Sequence, residues 1–277
     1  MTEIPRLSPS IAHKLTTESP LSAWAAHRLL GNFGEASTDA QLEGRLHHAA
    51  ILMDHAGIDV VDADSFRTKA AREAKAEILA AGNTPVLIEK WDNIQLSAAA
   101  IRGQLERYEI VLDGKSEQRF EWDEETESGA SVNCSGYIDH YLGNRIIDLK
   151  TSKTATTTHQ ATQKIATGSA LLQDAAYRSA LIAGEYLGRI ASSEVIEVVF
   201  AFVQTVEPFA VTPVTLAGDF RELSHLRWRR AIETWHQCLS NGLGREFWPG
   251  PVDAITAVSP PGWMVSQEIE WEAMRDE

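Results

Sequence analysis

The sequence predicts an α/β fold, a mixed central β-sheet flanked by helices, with helical additions at the N-terminal and C-terminal ends. Three observations predict it. The N-terminal part carries capped helical patterns, and the middle carries strand-like stretches separated by short turns. Further on, the run Val195-Ile-Glu-Val-Val-Phe-Ala-Phe-Val203 is almost wholly apolar and rich in β-branched and aromatic residues, as a strand buried on both faces should be.

From Leu7 to Trp24, Ser and Thr caps stand ahead of short helical patterns. Helices are predicted over 38–56 and 63–81, the second rich in Ala, Glu and Lys and stopped by Gly82-Asn83, and another over 91–108. Strands follow near 117–123, 131–142, 145–151 and 194–204, with a helix over 168–187 between the last two. A long helix over 217–240 ends at Asn241-Gly242, which serves as a C-cap. The segment from Phe247 to Trp271 contains Pro and Trp but no clear periodicity. There are no repeats and no low-complexity linker, so one domain is expected: 1–110 mainly helical, 111–215 the core, 216–277 a helix and tail.

Composition excludes several classes. A chain of 277 residues with 44% hydrophobic content can bury one substantial core. Its two cysteines, Cys134 and Cys238, are too few for a disulfide framework or a four-cysteine cluster, which points to a reducing cytoplasm. No apolar run approaches the roughly 18 residues of a membrane span, and the polar start lacks a signal-peptide core. A net charge of −14 argues against a non-specific nucleic-acid coat protein, because backbone affinity comes from Lys and Arg neutralising phosphates. It does not exclude a nuclease, whose acidic metal ligands add to the negative count and whose groove can be locally basic.

The chemistry concentrates in Gly136-Tyr-Ile-Asp-His-Tyr-Leu-Gly-Asn-Arg-Ile-Ile-Asp-Leu-Lys-Thr151. Gly143-Asn144 between two short Ile- and Tyr-rich runs is a two-residue hairpin turn. That loop pairs Leu142 with Arg145, Tyr141 with Ile146, His140 with Ile147 and Asp139 with Asp148. Opposed carboxylates repel, so something positive is expected between them. Lys150 projects from the same strand face as Asp148, and a hard dication with oxygen ligands would neutralise the pair better while leaving the ammonium for a substrate phosphate. Lys150, Lys153, Lys164 and Arg178 are the cations near the hairpin; Arg227-Trp-Arg-Arg230 reads as a solvated helix face. On the helix that follows, Gln173 and Tyr177 are four residues apart on one face, and both can donate to a phosphate oxygen.

Taken together, Gly136-Tyr-Ile-Asp139, Ile146-Ile-Asp-Leu-Lys-Thr151 and Gln173-Asp-Ala-Ala-Tyr177 resemble, in order and spacing, the PD-(D/E)xK nuclease superfamily, and within it the RecE-like, exodeoxyribonuclease VIII-like exonucleases of phage type. Gly44-Arg-Leu-His-His48 is similar to that family's upstream Gly-x-x-x-His helix, and Glu117 with Trp122 to its Glu-bearing strand. The resemblance implies a restriction-endonuclease-like core. It also implies that Asp139 and Asp148 are metal ligands, with the carbonyl of Leu149 and with His48 completing the shell, and that Glu117 approaches the metals or their waters. Lys150 would orient or activate the attacking water; Gln173 and Tyr177, with Lys153 nearby, would hold the DNA backbone. His47 is a rival for His48, because neighbouring helix residues point about 100° apart. Tyr137 stands where many relatives carry a basic residue.

The resemblance further implies Mg²⁺, with Mn²⁺ as a substitute, and exonuclease action on linear double-stranded DNA beside a single-strand annealing protein in a bacterial or phage-infected cytoplasm. A homo-oligomer follows from ring-forming relatives, whose subunits pool inward-facing cations. Two other readings stay open on the residues alone: an endonuclease or structure-specific nuclease with the same site, and a catalytically silent binding module.

Overall fold

The computed structural model describes residues 3–33, 38–183, 195–252 and 254–275. Helices α1 (Pro9–Thr17) and α2 (Pro20–Ala26) open with Ser8 and Ser19, whose side chains accept from the amides of Ile11 and Ser22 and so satisfy amides that a helix start leaves orphaned. Helix α3 (Asp39–Leu52) starts with a reciprocal capping box between Thr38 and Gln41 and ends where Met53 turns left-handed, four residues short of the expected 56. Strand β1 (Ile58–Val61), helix α4 (Lys69–Ala80) and strand β2 (Thr84–Leu87) form a small unit in which β1 and β2 pair in parallel. Helix α5 (Ile88–Glu106) runs directly out of β2.

The central sheet has the order β3 (Lys115–Glu125), β4 (Ser131–Leu142), β5 (Arg145–Ser152), β6 (Glu197–Gln204), β7 (Val211–Thr215). All its neighbouring pairs are antiparallel except β5 with β6, which run parallel. The parallel step requires a crossover, and α6 (Thr158–Thr167) and α7 (Ala170–Ala183) lie within it. Helix α8 (Gly218–Asn241) and helix α9 (Gly262–Arg275) complete the chain.

Two apolar layers sandwich this sheet. On one face Ile138, Ile146, Phe200 and Phe202 meet α1, α7 and α8 through Leu15, Leu171, Ala176, Trp228 and Trp235. On the other, Ile147, Leu149, Val199 and Ala201 meet α3 and α5 through Leu46, Ile51, Ile94 and Ile101. Strand β6 is buried at every position but its first, which agrees with its unbroken apolar run. The fold is the expected mixed sheet flanked by helices.

Five elements depart from the sequence reading, and a sixth starts later than expected. β1 and β2 are four residues each, too short for a period-two pattern to register, and Pro85 interrupts the second. β7 carries Pro213, tolerated because the strand lies at the sheet edge. Helix α6 is mostly polar, although its capping box of Thr157 and Gln160 is visible in the sequence. The segment read as aperiodic contains α9, whose apolar residues do not fall on one stripe. The helix expected over 63–81 begins only at Lys69, behind the cap of Thr68. The end of the helix expected to 187 and the first position of the strand expected from 194 lie outside the described residues.

Candidate metal centre

The hairpin forms as its turn residues dictate. Gly143 takes the positive φ of 61° that a II′ turn asks of its first central residue. Leu142 pairs with Arg145, Tyr141 with Ile146 and His140 with Ile147. The fourth pair needs correction: the ladder ends there, and Asp139 and Asp148 are not a paired couple across it. Instead Asp139 turns its Oδ2 to accept the amide of Leu149 at 2.7 Å. Ile138 and Tyr141, an odd number of residues apart, both enter the same core layer, so the alternation of β4 slips by one around Asp139. The slip keeps two like charges from standing face to face in a ladder.

Across β4 on the other side, Ser116 pairs with His140 and Gln118 with Ile138, which leaves Glu117 beside Asp139 without a bridge of its own. Glu117 has a left-handed φ of 48°. Such a backbone costs on the order of 1–3 kcal/mol in a non-glycine residue and is kept where the surroundings hold it.

Helix α3 brings His48 to these two carboxylates. The ring donates from Nδ1 to Glu117 Oε1 at 2.8 Å and from Nε2 to Asp139 Oδ2 at 2.8 Å. Burial alone would push its pKa down, but the hydrogen bonds and charges of Asp139 and Glu117 prevail and raise it to about 10. His48 is therefore an imidazolium clamped between two carboxylates. His47 faces away: its Nδ1 meets the Glu43 carbonyl at 3.0 Å, burial lowers its pKa, and it lines a separate pocket with Leu87, Ile94 and Phe209.

Gly44, one turn before His48, explains how the helix comes so close. A Cβ there would lie 3.0 Å from Thr151 Oγ1 on β5. Gly44→Ala needs only a small shift of the Thr151 hydroxyl. Gly44→Val is expected to lever α3 off the strand and cost about 1–3 kcal/mol through overpacking. The check is a denaturant midpoint measured beside that of a Gly44→Val/Thr151→Ala double variant, which lacks the hydroxyl in the way and should recover part of the loss.

On the α7 side of β5 the remaining predicted residues close a ring. Lys150 Nζ lies 2.5 Å from Asp148 Oδ2 and donates to Gln173 Oε1 at 2.9 Å. Gln173 Nε2 donates to the Tyr177 hydroxyl at 2.8 Å, and that hydroxyl donates to Asp148 Oδ1 at 3.1 Å. Asp148 Oδ2 has the Lys150 ammonium as an ionic contact but no aligned hydrogen bond. Asp148 is fully buried, and this desolvation raises its pKa to about 6 against the opposing pull of Lys150. Burial and the neighbouring carboxylates push the Tyr177 phenol well above its ordinary value.

The structure does not gather the other cations here. Lys153 pairs with Glu43 at 2.9 Å on an exposed edge, and Lys164 donates to Thr156 at 3.0 Å. Arg178 is held by both oxygens of buried Asp174, each at 3.0 Å. Arg45 was missed by the sequence reading. It lies three residues before His48, on the same helix face, and lines an open cleft of about 1120 Å³ with Gln41, Gly44, His48, Glu117 and Thr151. That spacing was the available signal.

His48, Glu117 and Asp139 place a ligand atom each within 4.8 Å of one another, the only such group among the described residues. One imidazole and two carboxylates can hold a divalent metal ion once the ring has released a proton. No protein-family model matches the sequence, and neither does any curated protein. Among solved structures, the fold is similar to that of a candidate exonuclease from Eubacterium rectale, with a TM-score of 0.56 and 12% identity over 94% of this chain and 92% of that one. At that identity the likeness is one of fold. A second structure, SSO0001, aligns with a TM-score of 0.29 and 10% identity over 69% of this chain and 85% of that one, and carries no argument.

Proposed function

We propose that this protein is a metal-dependent deoxyribonuclease, acting as an exonuclease on linear double-stranded DNA. The observation that carries this reading is the junction of two groups. The His48–Glu117–Asp139 cluster sits at a slip in β4, and Asp139 is tied to the Leu149 amide, immediately before the Lys150 that closes the Asp148–Gln173–Tyr177 ring. Acidic ligands, a lysine and an open cleft together are what phosphodiester hydrolysis needs. The shared fold with the Eubacterium rectale protein supports the same class.

In this reading His48, Glu117 and Asp139 hold the ion, with Asp148 and the Leu149 carbonyl as further ligands. A bound divalent ion supplies charge neutralisation on the scissile phosphate and a more acidic water. The chain's own groups do the rest. Lys150 uses two of its three donors on Asp148 and Gln173, and the third is left for a water or phosphate oxygen. The Gln173–Tyr177 pair fixes Lys150 in place, and Arg45 offers a cation to the DNA backbone along the cleft. The sequence resemblance adds the setting: Mg²⁺ as the ion, a phage-type recombination role in the cytoplasm, and a single-strand annealing protein as partner.

The test is digestion of end-labelled linear duplex and closed circular DNA with Mg²⁺ or Mn²⁺, comparing the parent with Lys150→Ala. Linear duplex should be consumed from its ends, circles spared, and Lys150→Ala slower by about 10²–10⁴-fold, as when a proton-transfer group is lost. Nicked circles would instead identify an endonuclease. No cleavage of either substrate by the folded parent would leave a binding module.

A further inference from the structure

Among the described residues, Tyr137 is the one aromatic side chain of the central sheet that faces solvent: it is 59% exposed, whereas Phe120, Trp122, Tyr141, Phe200 and Phe202 are buried. No hydrogen bond or ring contact holds it among those residues. The alternation of β4 sets its direction. Val132, Cys134 and Ile138 enter the layer of α1, α7 and α8, so Ser135, Tyr137 and Asp139 share the opposite face. On β3, Phe120 and Trp122 enter that same layer, which sends Arg119 and Glu121 outward beside their ladder partners, Tyr137 and Ser135.

The apolar layer of α3 and α5 reaches β5, β6 and β7, but among the described residues it includes none of β3 or β4. This wing of the sheet is therefore open, and it starts at the metal centre. Tyr137 lies two residues from Asp139, about 7 Å along the strand. A phosphate held at Asp139 thus has a neighbouring base within reach of the ring.

The next residue on this face, Ser135, lines a cavity of about 250 Å³ with Arg6, Arg28 and Arg119. Leu7 bridges to Cys134 on the edge of β4 that β5 has left, and because Leu7 is buried, Arg6 emerges on the outer face. Arg6 and Arg119 share Glu121, at 3.0 and 2.6 Å, and Arg28 meets Glu3. Three guanidinium groups against two carboxylates leave a positive surplus, in a chain whose net charge is −14. A lone ring between an ion site and arginines offers little to the apolar surface of a protein. It offers much to a nucleotide chain, whose flat bases stack on aromatic rings and whose phosphates seek cations.

We infer that Tyr137 stacks on an unpaired base of the DNA strand beside the scissile phosphate, and that the Arg6–Arg28–Arg119 cavity receives the next phosphate of that strand. The inference rests on the nuclease reading for the strand's place at the metal centre. Stacking accepts every base, because each has a flat π face, so this grip holds a strand without choosing its sequence.

The test is anisotropy of fluorescent duplexes that end in a short single-stranded tail of either polarity, with Mg²⁺ in the Lys150→Ala background, where the strand survives. Tyr137→Ala and Tyr137→Leu should weaken binding by about 5–150-fold, the range of one lost stacking contact, while Tyr137→Trp keeps it. Leu conserves apolar bulk without a flat ring, which separates stacking from simple burial. Removing the base at one tail position should cost the Tyr137 protein the same factor and Tyr137→Ala nothing further. Arg119→Gln should weaken all tails alike and lower the salt dependence by about one counterion. Both side chains are exposed, so melting temperatures should stay unchanged. Tyr137→Ala binding as tightly as Tyr137, or remaining as sensitive to the missing base, would overturn the inference, as would a Tyr137 protein that binds no tail. Digestion by the parent reads the nuclease separately: cleavage with unaltered tail binding in Tyr137→Ala sinks only the stacking, and the expected tail binding without cleavage sinks only the nuclease.

Discussion

Asp148→Asn is expected to reduce DNA cleavage by a thousandfold or more while leaving the metal-free protein folded and, at pH 8, no less stable than the parent. In the proposed reading the activity loss follows from removing one charged ligand, about 4 kcal/mol of transition-state stabilisation at roughly tenfold per 1.4 kcal/mol. The stability result follows from burial. Asp148 is fully buried with a pKa raised to about 6, against an ordinary 3.8. A raised carboxyl pKa means that the native state binds the proton more tightly than the unfolded chain does. This contribution to stability is fully present below about 3.8 and is lost as pH rises through about 6. At pH 8 the parent therefore carries a poorly solvated charge that Asn does not. Asn keeps the shape, and its carbonyl can still accept from Tyr177. Thermal melts at pH 8 with a chelator, beside digestion assays, decide it: full activity in this variant, or a variant that no longer folds, would defeat the expectation.

In the absence of metal, raising the pH from 7 to about 10 should weaken the protein through His48 alone by about 3–4 kcal/mol, most of the linkage value of a shift from 6.5 to about 10. Here too the folded pKa is raised, so the stabilisation is complete below about 6.5 and disappears as pH climbs through about 10. His48→Gln removes the titration while still offering a donor to one carboxylate. The difference in unfolding free energy between parent and His48→Gln should then shrink steadily across this window. Adding Mg²⁺ or Mn²⁺ should flatten the parent's own dependence, because a bound cation neutralises Glu117 and Asp139 without the ring's proton. Equal slopes for parent and His48→Gln in chelator would show that the ring is not charged between the carboxylates.

Much of this could be read before any fold was seen, because local rules and tertiary needs agree over those stretches. The Gly143-Asn144 turn set three strand pairs, period two put Lys150 on the face of Asp148, and helical spacing put Gln173 with Tyr177. What stayed hidden depends on contacts between distant segments. The left-handed backbone of Glu117 and the slip at Asp139 arise from the meeting of three strands, and neither residue type advertises them. The choice of His48 over His47 depends on how α3 is rolled against β5, which Gly44 permits but does not name. Short strands with prolines and a polar helix escaped because their stability comes from neighbours more than from pattern.

The parallel pairing of β5 with β6 has a consequence for how the molecule comes into being. The β3–β4–β5 meander closes through local hairpins, which form quickly, whereas β6 must arrive across the long crossover containing α6 and α7, a slower step. His48 enters from far upstream, and Gln173 and Tyr177 ride on that crossover. A chain emerging from the ribosome would thus carry the carboxylates of the hairpin long before the lysine is fixed beside them. In the proposed nuclease reading, assembly order itself would keep the incomplete protein inactive.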